Sequence, residues 1–280
     1  MLFKTTNNQK AEDTVENDLE VPAGSFLCLN QAVEGWAILA NRLLRSPGTF
    51  EAHLDALAQS RCSLIGPTEI AGGLIEGRAL PPRATLLTFD DGNATDHSHV
   101  LPALLRRGLK AVFFITPTRI GEPGFMGWAE VRELARAGMT VGAHGLEHSP
   151  LSALPEPELT HQLQEARRLI EANLGRAPET MSLPGGAGGR REVEAARAVG
   201  FRLVMGSVPR RTSAVRAGVA VPRFAVRHGD SLERLRALVE QRPTVLLHAR
   251  VRHDALTLLK GVAGPALYQR ARTAWAGSHS

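Results

Sequence analysis

The 280-residue chain reads as an α/β protein, a (β/α) barrel on a parallel sheet, and three observations predict this. Short apolar runs alternate with segments of helical periodicity. A glycine repeatedly separates the end of a helix from the run that follows it. The residues richest in chemistry, Asp90-Asp91 and His144 with His148, fall where two of those runs end. Barrel enzymes carry their chemistry at such strand ends. A doubly wound open sheet would place them similarly and stays open at this level.

Taken in order, residues 1–20 are polar and acidic and are expected to form a mobile tail. Ser25–Leu29 is a first strand. Thr49–Ser60 brings Phe50, Leu54, Leu57 and Ala58 onto one helical face. Pro67–Glu76 is a short helix, and Leu80-Pro81-Pro82 leads into the apolar strand Thr85–Phe89. The unit of helix, glycine and strand then repeats. Val100–Arg107 stops at Gly108 before Ala111–Ile115, and Trp128–Ala137 stops at Gly138 before Met139–Ala143. Glu156–Leu174 stops at Gly175 before Thr180–Leu183, and Arg190–Val199 stops at Gly200 before Phe201–Gly206. The barrel is expected over 21–242, with its core at 84–228, followed by a helical extension over 243–280.

With 43% hydrophobic residues the chain can bury a full core. The formal charge of +5 is spread over arginine pairs such as Arg106-Arg107 and Arg210-Arg211. No dense basic stripe or recognisable module accompanies them, so nucleic acid is not an expected partner. Cys28 and Cys62 stand far apart, outside any metal spacing, and read as small buried side chains. No secretory signal is evident at the N-terminus, and no run of about 18 apolar residues predicts a transmembrane segment. A cytoplasmic location is the expectation.

Two adjacent carboxylates closing a strand repel each other unless a cation sits nearby, and Gly92 lets the backbone turn directly after them. Some fifty residues on, His144-Gly-Leu-Glu-His148 offers two imidazoles four positions apart. One Asp with two His makes a three-ligand metal site with an open position, which leaves the other Asp to act as a base. Alone, Asp-Gly also signals a hairpin turn, and the histidines read as loop residues with Glu147 as a competing ligand. The combination favours the metal site, because a hairpin turn does not call for distant imidazoles. His97 and His99 are expected to begin the next helix rather than to serve as ligands. Gly185–Gly189 lacks the Gly-Lys-Ser/Thr of a phosphate loop, so a nucleotide is not expected.

Thr88-Phe-Asp-Asp-Gly92 followed by His144-x-x-x-His148 resembles the first two motifs of the NodB-homology polysaccharide deacetylases, carbohydrate esterase family 4. Ala111-Val-Phe-Phe-Ile115 is similar to the strand between those motifs. Ser46-Pro-Gly-Thr-Phe50-Glu-Ala-His-Leu is similar to the helix that precedes them, and the likeness runs from about Phe26 to Val226. The resemblance implies a distorted (β/α) barrel of about seven parallel strands and metal-dependent removal of N- or O-acetyl groups from a sugar or glycan. It also implies roles. Asp91, His144 and His148 would hold a divalent ion, with Zn the default and Co or Ni as alternatives. Asp90 would be the general base, and the Gly185 backbone N–H would face the oxyanion.

The chain also departs from the family pattern. The third motif, usually Arg-x-Pro-aromatic-Gly, reads Ser182-Leu-Pro184-Gly185-Gly186, so the arginine that braces the base is replaced by serine and the aromatic is missing. The fourth, a Trp and Asp pair, has no counterpart in Phe201–Val221. The fifth ends Leu-x-His and would supply the acid. Val245-Leu-Leu-His248 fits it as a strand, while Pro243 equally begins a helix. Arg223, in Val221-Pro-Arg-Phe-Ala, either approaches the site or lies on the surface of a strand. These departures keep two alternatives in view: a deacetylase of a cytoplasmic non-polymeric amide or glycosylated metabolite, and an inactive glycan-binding relative.

Overall fold

A computed structural model describes residues 26–31, 47–186, 188–210, 212, 216–226, 230–255 and 257–258. The tail over 1–20 and the end of the C-terminal extension lie outside the described residues. The strands are β1 (Phe26–Gln31), β2 (Ser63–Leu64), β3 (Ala84–Asp91), β4 (Val112–Ile115), β5 (Thr140–Ala143), β6 (Thr180–Ser182), β7 (Leu203–Met205) and β8 (Phe224–Val226). The helices are α1 (Pro47–Ala58), α2 (Pro67–Leu74), α3 (Leu101–Arg106), α4 (Trp128–Arg136), α5 (Glu156–Leu174), α6 (Arg190–Val199) and α7 (Leu232–Val239). A last helix, α8, runs over 243–255.

All eight strands join one sheet in the order β7-β6-β5-β4-β3-β1-β8, with β2 paired to β3 off that path. Every pairing is parallel. One edge of β3 carries β1, and the other carries β2 at Ala84 and Thr85 and then β4 from Thr88 onward. The two ends of the row meet. Met205 of β7 forms a parallel bridge with Val221, just ahead of β8, and the Gly206 N–H donates to the Val221 carbonyl at 2.8 Å. The sheet therefore curls into a barrel, and the open doubly wound alternative is excluded.

The period-two alternation of strands sorts the core into an inner and an outer layer. Leu86, Val112, Phe114, Leu203, Met205 and Val221 cluster inside the ring with Ile70, Ala71 and Leu74 of α2. Leu87, Phe89, Phe113, Ile115, Met181 and Val204 face outward against the helices. Gly142 belongs to the inner layer. A Cβ there would meet the Phe114 ring at 2.6 Å and the Thr180 carbonyl at 2.7 Å, so only glycine leaves room for that ring. The glycines that end α3, α4, α5 and α6 all take positive φ, at Gly108, Gly138, Gly175 and Gly200, which is why the repeat was legible.

Two elements differ from expectation. The helix expected at Val100–Arg107 is entered through a wider π-type turn, Asp96–Val100, in which the Leu101 N–H reaches the Asp96 carbonyl. Pro102 has no N–H to give the regular ladder, and the wider turn accommodates it. The strand considered at Val245–His248 is instead part of α8. Val245, Leu246 and Ala249 pack against the outer core at helical spacing, behind a proline in the first turn.

Candidate active site and metal centre

The site lies at the C-terminal rim of the barrel, where side chains from the ends of β3, β5 and β6 converge. Asp90 and Asp91 are the last two residues of β3, His144 directly follows β5, and Ser182 closes β6. His148 lies five residues past the end of β5. Gly145 makes that loop possible: it takes φ +70°, and a Cβ on it would press on Pro184 Cγ at 3.0 Å. The loops after β5 and β6 are thus in contact, which sets the histidines beside the Ser182 strand.

Asp91 Oδ1 lies 3.5 Å from His144 Nε2 and 3.2 Å from His148 Nε2. Among the described residues these three side chains bring their ligand atoms within 4.8 Å of one another. Asp91 Oδ1 is buried and accepts no hydrogen bond, an arrangement that costs free energy unless a cation meets it. The histidine tautomer fits the same purpose. His144 Nδ1 lies 3.1 Å from the Ser182 carbonyl, which only accepts, so Nδ1 carries the proton and Nε2 presents a lone pair. Burial holds the His144 pKa below its ordinary value, against the pull of the Asp90 and Asp91 carboxylates, and keeps the ring neutral. An orphaned carboxylate oxygen and converging imidazole nitrogens are the donor set a divalent transition ion takes.

Two of these three residues sit in left-handed backbone, Asp91 at φ +80° and His148 at φ +62°. Non-glycine residues adopt this region at a cost, which concentrates at functional sites. Glu147, weighed as a competing ligand, is exposed and stays outside the cluster. His97 and His99 lie in the turn that opens α3, as expected, and His97 pairs with Glu133 at 2.7 Å and with Glu130 at 3.5 Å.

Asp90 is held by Arg223, the residue just ahead of β8. Arg223 Nη1 and Nη2 donate to Asp90 Oδ1 and Oδ2 at 2.8 and 2.9 Å, while its Nε donates to the Gly206 carbonyl at 2.8 Å. The arginine is 1% exposed, and its guanidinium lies 5.6 Å from the centre of the Phe114 ring. The surface reading of Arg223 is therefore wrong. Ser182 Oγ adds a third donor, to Asp90 Oδ1, at 3.2 Å.

Residues 77–204 match the family model described as polysaccharide deacetylase. Over those residues the chain carries the pattern of the polysaccharide deacetylase family. It is a hydrolase of that kind, acting on bonds to acyl groups of acetylated sugars. YxkH of Bacillus subtilis (strain 168), a protein named for the same family, is 24% identical over 205 residues, covering 73% of this chain and 74% of the relative. Among solved structures, IcaB from Ammonifex degensii superposes with a TM-score of 0.61 at 25% identity, covering 77% of this chain and 96% of that one. The Streptococcus pyogenes deacetylase PplD, solved in complex with acetate, has a TM-score of 0.65 at 17% identity, with 75% and 95% covered. The distorted barrel of this family is the fold described above.

Against the family pattern, the structure resolves two of the departures. His248 lies on α8 with its side chain exposed, on a helix packed against the outer core, so it does not project from a rim strand as an acid would. The arginine missing at Ser182 has a counterpart in Arg223. In the sequence, Arg223 is an even choice between the site and the surface of a strand. The one available signal was its apolar setting, Val221-Pro-Arg-Phe-Ala, in which a buried arginine requires a buried acid. Gly185 stands on the turn Pro184–Gly186 after β6, exposed, with open space where a side chain would project.

Proposed function

We propose that this chain is a metal-dependent deacetylase that removes N-acetyl or O-acetyl groups from a sugar or glycan, using Asp90 as general base. The observation that carries the reading is the rim cluster itself: Asp91, His144 and His148 with ligand atoms within 4.8 Å, beside a carboxylate gripped at both oxygens by Arg223. A divalent ion held by these three residues, with Zn the first choice and Co or Ni as alternatives, would polarise the acyl oxygen and acidify an attacking water.

Asp90 stands next to Asp91 in the chain and is 14% exposed, close enough to the rim to meet that water and accept its proton as it attacks the acyl carbon. Arg223 and Ser182 keep the carboxylate oriented so that little is lost to reorganisation during the transfer. The Gly185 N–H, on the turn after β6, is the candidate donor to the oxyanion. Among the described residues nothing lies within 4 Å of where a Gly185 side chain would project, which leaves room there for an acetylated sugar. The support drawn from relatives is that the structural neighbour PplD was solved with acetate, the product such a reaction releases.

An inactive relative was suggested by the loss of an arginine at Ser182. Arg223 weakens that reading, because the base is braced from just ahead of β8. The test is acetate release from N-acetylglucosamine oligomers and from smaller acetylated sugars, with metal analysis of the purified protein. Activity that follows bound Zn, Co or Ni and disappears in Asp90→Asn is the expected result. Acetate release that survives Asp90→Asn, or protein that holds no metal yet turns over, would refute it.

A further inference from the structure

Ser182 does more than occupy the place of a longer side chain. It is the last residue of β6 and is fully buried. Its hydroxyl lies between groups with different tasks. Oγ donates to Asp90 Oδ1 at 3.2 Å and stands 2.5 Å from His144 Nδ1. A hydroxyl has one proton to give and lone pairs to receive with. His144 Nδ1 carries its proton, as the neighbouring Ser182 carbonyl requires. The direction is then uniform: the imidazole N–H donates to the hydroxyl, and the hydroxyl donates to the carboxylate.

We infer that Ser182 is a positioning residue that couples His144, on the cation-holding side of the site, to the base Asp90, so that the two are organised together. The inference rests on the metal-dependent reading above. Hydrogen bonds in series polarise one another, more so in a buried setting. Drawing electron density from the imidazole at Nε2 makes its Nδ1–H a stronger donor, and the hydroxyl in turn binds the carboxylate more firmly. In the other direction, the Asp90 charge raises the basicity of His144 as a ligand. The Ser182 carbonyl, 3.1 Å from His144 Nδ1, gives the ring a second acceptor. Removing the hydroxyl therefore leaves the histidine oriented and cuts only the link to Asp90.

The experiment titrates zinc into metal-free wild type, Ser182→Ala, Ser182→Thr and His148→Ala against a chromophoric chelator, then measures acetate release with zinc saturating. Ser182→Ala is expected to weaken zinc by about tenfold, the size typical of lost outer hydrogen bonds to a ligating histidine. At saturating zinc its kcat should fall by about tenfold with KM within about twofold, because the link positions the base rather than the substrate. Ser182→Thr, which keeps the hydroxyl, should recover most of both. A Ser182→Ala protein with wild-type zinc affinity and wild-type kcat overturns the coupling. Failure of the underlying reading looks different: wild type would bind zinc no better than His148→Ala. Should Ser182→Ala not fold, Ser182→Cys, nearly isosteric and a poor donor, carries the same expectation and the same refutation.

Discussion

Arg223 closes a two-point grip on Asp90, with Nη1 on Oδ1 at 2.8 Å and Nη2 on Oδ2 at 2.9 Å, from inside the barrel and 1% exposed. The geometry is the fork-to-fork arrangement only arginine supplies. Lysine keeps the charge and loses the fork. Arg223→Lys is therefore expected to fold and to lose about a hundredfold in kcat, with KM little changed, as a misplaced catalytic group does. Arg223→Met takes the cationic partner from the largely buried Asp90 carboxylate, leaving it the Ser182 hydroxyl, and should lose about 3 kcal/mol of stability. Steady-state kinetics and urea unfolding of the two variants check both statements. Equal kcat in Arg223→Lys and wild type would show that the grip serves stability alone.

The orphaned oxygen of Asp91 makes a second prediction. Ion binding to the folded state adds about 2.7 kcal/mol at a hundredfold excess over Kd. Zinc should therefore raise the melting temperature by several degrees, and a chelator should reverse the gain. The response should vanish in His148→Ala and in Asp91→Asn, since each removes one of the three converging ligand atoms. A zinc-dependent shift that persists in both variants would place the ion elsewhere.

Much of this site was legible because its parts lie at strand ends in a repeating unit. Asp90, Asp91 and His144 each follow a short apolar run, and the positive-φ glycines Gly108 and Gly138 mark where the preceding helices stop. Local pattern carried that far. Arg223 was undecided because its partner is 133 residues away, on a strand brought alongside only by closure of the ring. His248 suggested an acid because a four-residue apolar run does not distinguish a strand from a helix face. What decides α8 is the packing of Val245, Leu246 and Ala249 onto the outer core, which is tertiary information. Ser182 looked like a loss in the sequence, and its two hydrogen-bond partners appear only once β3, β5 and β6 stand side by side.

The left-handed backbone at His148, φ +62°, predicts a conflict between binding and stability. Glycine relieves that conformation, which costs an L-residue about 1–2 kcal/mol, and gives back part of the gain in unfolded-state entropy. In metal-free protein His148→Gly should unfold at equal or higher urea concentration than His148→Ala, although both have lost the ligand. A β-branched residue pays most for positive φ, so His148→Val should be the least stable of the three. The order Gly, Ala, Val in urea midpoints checks the prediction, and a reversed order would mean that the loop relaxes out of the left-handed region.

Asp96 supplies a pH dependence whose sign follows from its surroundings. The carboxyl is buried in the turn after Gly92, with Oδ2 accepting the Asn93 N–H at 3.0 Å. Burial, reinforced by the nearby Asp91 and Asp90 charges and opposed by that single N–H, pushes its pKa well above the usual carboxylate range. The folded protein therefore keeps a proton that the unfolded chain has already released. A group of this kind contributes its full stability below its unfolded pKa and loses it as pH rises towards the folded one. Asp96→Asn is neutral throughout and keeps an oxygen for the Asn93 N–H. In metal-free protein the melting temperature of Asp96→Asn should thus gain on wild type as pH climbs through and above the ordinary carboxylate range, where the unfolded chain has ionised and the folded carboxyl has not. A gain that shrinks over the same interval would mean that Asp96 is ionised in the fold and that the Asn93 N–H, rather than burial, sets its charge.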